Sequence, residues 1–269
     1  MSPPPKKRSL TKSKKFKRSV IKTPNRPVIL SEGDSWFDYP LHKNTVDYIE
    51  RMGSFSMLRL ENNGDELLAI LSGKQKGKIR KLLRKYPFEL ILFSGGGNDI
   101  VGEDLLSLLN EKKPSYSWEQ CINKKRALRR IKQLEGAYLD LIYLRDDNRP
   151  NCTIMVHGYD YPLPSESGVK IGPFKVIGPW MKPAMEEKKI FDQRDQNAIA
   201  RWLIESFNET LHTIARKNKN FIVIETPGTL NSKEWVDEIH PTSRGFQKIA
   251  EKFRPELIRL FPGKVKRAR

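Results

Sequence analysis

The stretch PVILSEGDSW, Pro27 to Trp36, runs from a short apolar segment straight into a glycine, an aspartate and a serine. Its first half, Pro27 to Ser31, is apolar without alternation, as in a strand covered on both faces. Four further segments read the same way: one around Phe55–Leu60, then Leu90–Phe93, Cys152–Val156 and Phe221–Ile224. Between them the apolar period changes to that of helices. From Cys121 to Arg145, Leu128, Ile131, Leu134, Tyr138, Leu141 and Ile142 recur at helix spacing. Another helix is predicted from about Gln193 to Lys217, with Leu203, Phe207, Leu211 and Ile214 on one stripe. A last helix starts near Thr242 or Ser243, either of which suits a cap, and buries Phe246, Ile249, Ala250 and Phe253. Strands alternating with helices predict an open parallel sheet between helical layers, and no internal repeat interrupts it.

A chain of 269 residues, 38% hydrophobic and 30% charged, suits one large α/β domain, here residues 26–262, with tails at 1–25 and 263–269. No apolar run approaches the roughly 18–20 residues of a membrane span. The basic N-terminus has no apolar segment of the secretory type. Cys121 and Cys152 are the only cysteines, too few for a disulfide framework, so a reducing, cytoplasmic setting is the expectation. From Asp160 to about Pro183 the sequence is rich in proline and glycine, which predicts an irregular flap; Phe174, Trp180 and Met181 give it residues to pack.

The net charge is +18, and its location matters. Residues 1–26 hold ten Lys or Arg and no acid, and Lys264, Lys266, Arg267 and Arg269 end the chain, so fourteen of the eighteen charges lie in the tails. Such blocks predict disorder. Their phosphate-binding chemistry suits an anionic membrane or a nucleic acid; a merely solubilising tail is the alternative.

Four small motifs fall at or after predicted strand ends: Gly33-Asp34-Ser35-Trp36, Asn62-Asn63-Gly64-Asp65, Gly95-Gly96-Gly97-Asn98-Asp99 and, after the last, Asp237-Glu238-Ile239-His240-Pro241. The carboxyl ends of a parallel sheet share one edge, so these distant residues converge there. A serine hydroxyl needs a base to become a nucleophile, and histidine is the usual one at neutral pH. Asp237 precedes His240 by three residues, close enough for one turn to bring carboxylate to imidazole. The N–H groups of Ser35 and Gly64 and the amide of Asn98 are candidate donors to an oxyanion. Taken singly, each motif also fits a turn or a helix cap.

GDSW, NNGD, GGND and DEIHP resemble blocks I, II, III and V of the SGNH (GDSL-type) hydrolase superfamily, in the same order, over about Arg26 to Pro262. The resemblance implies a three-layer α/β/α sandwich with a flavodoxin-like five-stranded parallel sheet. It further implies Ser35 as nucleophile, Asp237 and His240 as its partners, and Ser35, Gly64 and Asn98 as the oxyanion hole. Trp36 stands where leucine is commoner, which bears on packing or on the acyl pocket.

Trp36, His157 and Trp180 are candidate cleft residues, each with a structural alternative; His42 and His212 read as surface residues. A metal held by Asp34, Asp99 and Asp160 with His157 or His240 lacks a compact ligand motif, so no cofactor is expected. The expected activity is hydrolysis of carboxylic esters through an acyl-enzyme, with lipid or lysophospholipid esters as one substrate class and acetylated carbohydrate as another. A nucleic-acid-associated or scaffold protein on the same fold is the non-enzymatic alternative.

Overall fold

The computed structural model describes residues 7–171 and 175–266. In chain order the elements are α1 (Lys7–Lys22), β1 (Val28–Gly33), α2 (Thr45–Met52), β2 (Ser56–Arg59), α3 (Leu67–Ile70), α4 (Gly73–Lys85), β3 (Leu90–Ser94), α5 (Gly97–Val101), α6 (Lys124–Asn148), β4 (Thr153–His157), β5 (Val169–Ile171), β6 (Lys175–Ile177), α7 (Met181–Glu187), α8 (Gln193–Lys217), β7 (Phe221–Ile224) and α9 (Ser243–Leu260). Five strands form one parallel sheet in the order β2-β1-β3-β4-β7. In register, Leu30 faces Leu58 on one side and Ile91 on the other.

The three inner strands are buried at every position, whereas the edge strands β2 and β7 mix buried with half-buried residues. That is why the inner strands lack alternation in the sequence: helices cover both of their faces. The helices fall into two groups, α2 packing on α9, and α6 packing against α4 and α8. The three-layer α/β/α architecture and the five-stranded parallel sheet therefore stand as expected. The stripe on α6 is shifted: Leu128 is 53% exposed, and its neighbour Ala127 is buried instead.

The N-terminal segment departs from the expected disordered tail. Lys7–Lys22 is a helix, and Phe16 is only 3% exposed. Its ring lies 5.0 Å from that of Tyr86 and 5.8 Å from that of Phe88, and Ser19 Oγ is 2.7 Å from Ser56 Oγ. One aromatic with Val20 beside it supplies a narrow apolar stripe, which the surrounding lysines hide in any average over the segment. The other end is tied down too. Lys264–Lys266 joins Met52–Ser54 through Ser54 N–H to the Lys264 carbonyl (3.2 Å) and Lys266 N–H to the Met52 carbonyl (2.7 Å).

The flap also has more structure than its composition predicts. It holds the antiparallel pair β5 and β6, and α7 begins at Met181. Phe174, expected to pack there, lies outside the described residues. Removing the Phe16 ring should release α1 alone. Phe16→Ala is expected to cost about 3 kcal/mol of docking, which makes trypsin cleavage after Lys14, Lys15, Lys17 and Arg18 on the order of a hundredfold faster, while cleavage elsewhere in the domain keeps its rate.

Candidate active site

β1 ends in Gly33, whose φ of +150° brings its Cα against β3; a Cβ there would run into the Ser94 backbone. The next residues form a tight turn, with Phe37 and Asp38 N–H donating to the Asp34 carbonyl at 3.1 and 3.0 Å. Asp34 is its fixed point. Its N–H donates to the Ser94 carbonyl (3.1 Å), and its buried carboxylate accepts from Trp36 N–H (3.0 Å), Ser94 Oγ (2.6 Å) and the Tyr159 hydroxyl.

Ser35 rides on that turn, 6% exposed, with Oγ 2.8 Å from His240 Nε2. His240 Nδ1 lies 2.9 Å from Asp237 Oδ2. Asp237 Oδ1 also accepts the N–H groups of Ile239 and His240, both at 2.9 Å, which sets the carboxylate in the plane it offers the ring. Val236 N–H closes the loop on the His240 carbonyl at 2.8 Å, and Thr242 caps α9 through Gly245 N–H at 3.1 Å. The imidazole is held from the side by Tyr39 and Trp180, with ring centroids at 4.8 and 5.5 Å. Burial, together with the Asp237 charge, drives the Tyr39 phenol pKa upward and keeps it protonated.

Trp36 joins the two halves. Its indole N–H donates to the Ile239 carbonyl at 3.0 Å, so the residue after the serine is bonded to the residue before the histidine. It also lines the cleft beside Ser35, together with Asn98, Tyr159, Ile204 and Trp235.

The expected cleft histidine lies elsewhere. His157 is 1% exposed beneath the Trp36 indole, stacked at 5.2 Å, with Nδ1 2.8 Å from the Gly158 carbonyl and Nε2 2.9 Å from Ser94 Oγ. Burial lowers its pKa, and its ring lies against Ser94 of the Asp34 network rather than in the cleft. His42, expected at the surface, packs its ring against Tyr39 at 4.6 Å, because the loop after the serine turn folds back over α9. His212 is partly exposed and pairs with Glu225 at 3.0 Å.

Asn98 lines the cleft, and its Nδ2 donates to the Asp65 carbonyl at 3.0 Å. Gly64, at φ +79°, belongs to the turn closed by Asp65 N–H and the Asn62 carbonyl (3.3 Å). It sits next to Asn98's partner but is not among the residues lining the cleft. Asp99 joins the same two loops, accepting Leu67 N–H at 2.8 Å and Leu68 N–H at 3.3 Å; burial raises its pKa to about 6. Asp160 accepts from Tyr161, Gly228 and Leu230 N–H at 2.8, 2.6 and 2.7 Å. The three aspartates considered for a metal thus serve three separate backbone-anchoring sites.

Glu238 escaped the sequence reading, although it sits inside the DEIHP motif. Fully buried, it accepts the N–H groups of Ser165 (3.0 Å), Met181 (2.8 Å), Lys182 (2.8 Å) and Trp180, while its own carbonyl accepts Leu163 N–H at 2.9 Å. The flap is therefore fastened to the residue that follows Asp237 in the chain. Only the charge buried under a Pro/Gly-rich segment could have signalled this, and charge in a loop is ordinary. Glu238→Gln replaces an acceptor oxygen with a donor, and backbone amides at Ser165, Met181 and Lys182 are expected to exchange hydrogen about a hundredfold faster, with the amides of β1 and β3 unchanged.

No protein-family model matches the chain, and no curated protein matches it. Solved structures do. The lipase Lip_vut3 from a goat rumen metagenome superposes with a TM-score of 0.58 at 18% identity, over 85% of this chain and 96% of that one. A member of the lipolytic G-D-S-L family from Veillonella parvula matches with a TM-score of 0.50 at 13% identity, over 84% and 95%. A carbohydrate esterase family 3 structure from Talaromyces cellulolyticus matches with a TM-score of 0.50 at 13% identity, over 87% and 98%. At such identities the likeness is one of fold, and the fold is that of the SGNH (GDSL-type) hydrolase superfamily.

Proposed function

We propose that this protein is a serine hydrolase of carboxylic esters, with Ser35 as nucleophile, His240 as general base and acid, and Asp237 as the group that orients the histidine. The observation that carries this reading is the hydrogen-bonded line from Ser35 Oγ through His240 to Asp237, at 2.8 and 2.9 Å. His240 Nε2 takes the Ser35 proton as Oγ bonds to the ester carbonyl carbon. The oxyanion draws on the Ser35 N–H and the Asn98 amide, with Gly64 N–H as the third donor of the proposal. Collapse breaks the bond to the alcohol, which leaves with the proton from His240. Water, deprotonated by the same imidazole, then attacks the acyl-enzyme and frees the acid and Ser35.

A compact cleft walled by two tryptophans, a tyrosine and an isoleucine favours a short acyl group over a long lipid chain. Acetylated carbohydrate is for that reason the better-supported of the two substrate classes. A panel of p-nitrophenyl esters tests it: acetate and butyrate are expected to exceed octanoate by about tenfold or more in kcat/KM, and the reverse order rejects the short-acyl reading.

Ser35→Ala should keep its thermal midpoint within a few degrees and lose both ester hydrolysis and labelling by a fluorophosphonate probe. A variant that retained full activity would remove Ser35 from its role, and wild-type protein that neither labels nor hydrolyses would favour a scaffold. Trp36→Phe keeps an aromatic ring but loses the N–H to Ile239; about 1–1.5 kcal/mol of lost alignment predicts a roughly tenfold lower kcat. Binding of ester to the variant, read as KM, should change much less.

A further inference from the structure

Both chain ends meet at the amino edge of the sheet. Ser19 of α1 touches Ser56, the first residue of β2, and Phe16 sits on Tyr86 and Phe88, just ahead of β3. Lys264 and Lys266 are hydrogen-bonded to residues 52–54, just ahead of β2. Ser35, Asn98 and His240 lie past the opposite, carboxyl edge, one strand length away, roughly 15–20 Å.

This amino edge is cationic. Lys14, Lys15, Lys17, Arg18, Lys22 and Arg26 are exposed, and no acid occurs anywhere from residue 1 to 31. The end of α4 that meets Phe16 adds exposed Lys81, Arg84 and Lys85, and the segment after α9 adds exposed Lys264 and Lys266. The acids nearby are fewer: Glu89 accepts Val28 N–H at 3.0 Å, Glu50 lies 3.6 Å from Arg59, Glu251 pairs with Arg254, and Asp146, paired with Arg145, stands with exposed Asp147 at the end of α6. A folded helix presents its charges at fixed spacing, with the 16 residues of α1 spanning about 24 Å.

We propose that this face binds the phosphate backbone of a nucleic acid and holds the candidate active site turned away from it. Two observations favour nucleic acid over a lipid surface. A helix that lies in a membrane interface needs a free apolar face, but the Phe16 and Val20 side of α1 is already packed on the domain. Docking by this face would also point the cleft away from the bilayer, which is the wrong way round for taking substrate from lipid. What remains exposed on α1 from Lys14 onward is a run of point charges, with Ile21 as its single exposed large apolar side chain, suited to displacing counterions along a linear polyanion without reading bases.

The test uses the full-length protein with a fluorescein-labelled 20-base-pair DNA duplex and a single-stranded RNA 20-mer, followed by anisotropy from 50 to 300 mM NaCl. A separate arm measures sedimentation with phosphatidylcholine vesicles containing 30% phosphatidylserine. Wild-type protein is expected to bind nucleic acid with a steep salt dependence, the two labelled strands distinguishing DNA from RNA as the source of phosphate. The variant Lys14→Gln/Lys15→Gln/Lys17→Gln/Arg18→Gln should bind at least tenfold more weakly at 100 mM NaCl, its log–log salt slope smaller by about 3–4. Lys264→Gln/Lys266→Gln should weaken binding as well, since both ends form one surface. A control with equal charge loss at the other edge, Lys124→Gln/Lys125→Gln/Arg126→Gln/Arg129→Gln, should bind within about twofold of wild type.

Absence of nucleic-acid binding, equal loss in the control, or vesicle binding that exceeds nucleic-acid binding overturns the proposal. These readouts do not depend on ester hydrolysis, so the hydrolase reading and this one stand or fall separately. Where wild-type protein hydrolyses a soluble acetate ester, saturating duplex should leave that rate unchanged, and inhibition would refute the stated orientation.

Discussion

The Asp34 carboxylate is the point on which the site is built. Buried at the end of β1, it accepts hydrogen bonds from the serine turn, from Ser94 at the end of β3 and from Tyr159 just past β4. A buried carboxylate is tolerable only when its oxygens are filled by donors, so these three strand ends are drawn to one small volume. With the turn held this way, Ser35 has a defined position, and the indole of Trp36 fixes its distance from the histidine loop through Ile239.

The same device recurs around the cleft. Asp99 gathers two N–H groups from the start of α3, Asp160 anchors the loop at 228–230, and Glu238 gathers four from the flap and α7. Loops at a sheet edge have few apolar contacts to hold them, and charge-assisted hydrogen bonds to backbone N–H groups are strong and directional. Acids in the motif regions are thus split between two jobs: Asp237 faces the histidine, and its neighbours hold the loops that make that possible. The amino edge is tied by a cation instead: buried Arg145 donates to the carbonyls of Cys152, Asn220 and Lys219 at 2.6, 3.0 and 3.2 Å.

Much of the fold could be read from local pattern. The inner strands announce themselves as unbroken apolar runs, α8 begins and ends at the predicted residues, and Thr242 caps α9 as its position suggested. Ser35 and Asn98 were readable as candidates because they follow β1 and β3 within a few residues, where parallel topology forces convergence, whereas Asp237 and His240 lie well beyond the end of β7 and were readable only from their spacing to each other. His157 could not be sorted the same way: it is the last residue of β4, and whether it faces the cleft or the core depends on Trp36, 121 positions earlier, lying over it. The helix α1 was hidden for another reason, since one buried phenylalanine decides its docking and composition averages it away.

What the amino-acid order settles in EGDSW is local: a strand must stop at Gly33, a turn must follow, and a serine must stand on it. Which acids serve chemistry and which serve architecture was decided only on folding. Asp34, Asp99, Asp160, Asp237 and Glu238 are alike as carboxylates in a sequence, and they differ solely in the donors that the fold brings to them. Hydrogen bonding acts over about 3 Å, so partners tens or hundreds of residues away in the chain carry no local trace, and tertiary structure alone assigns them.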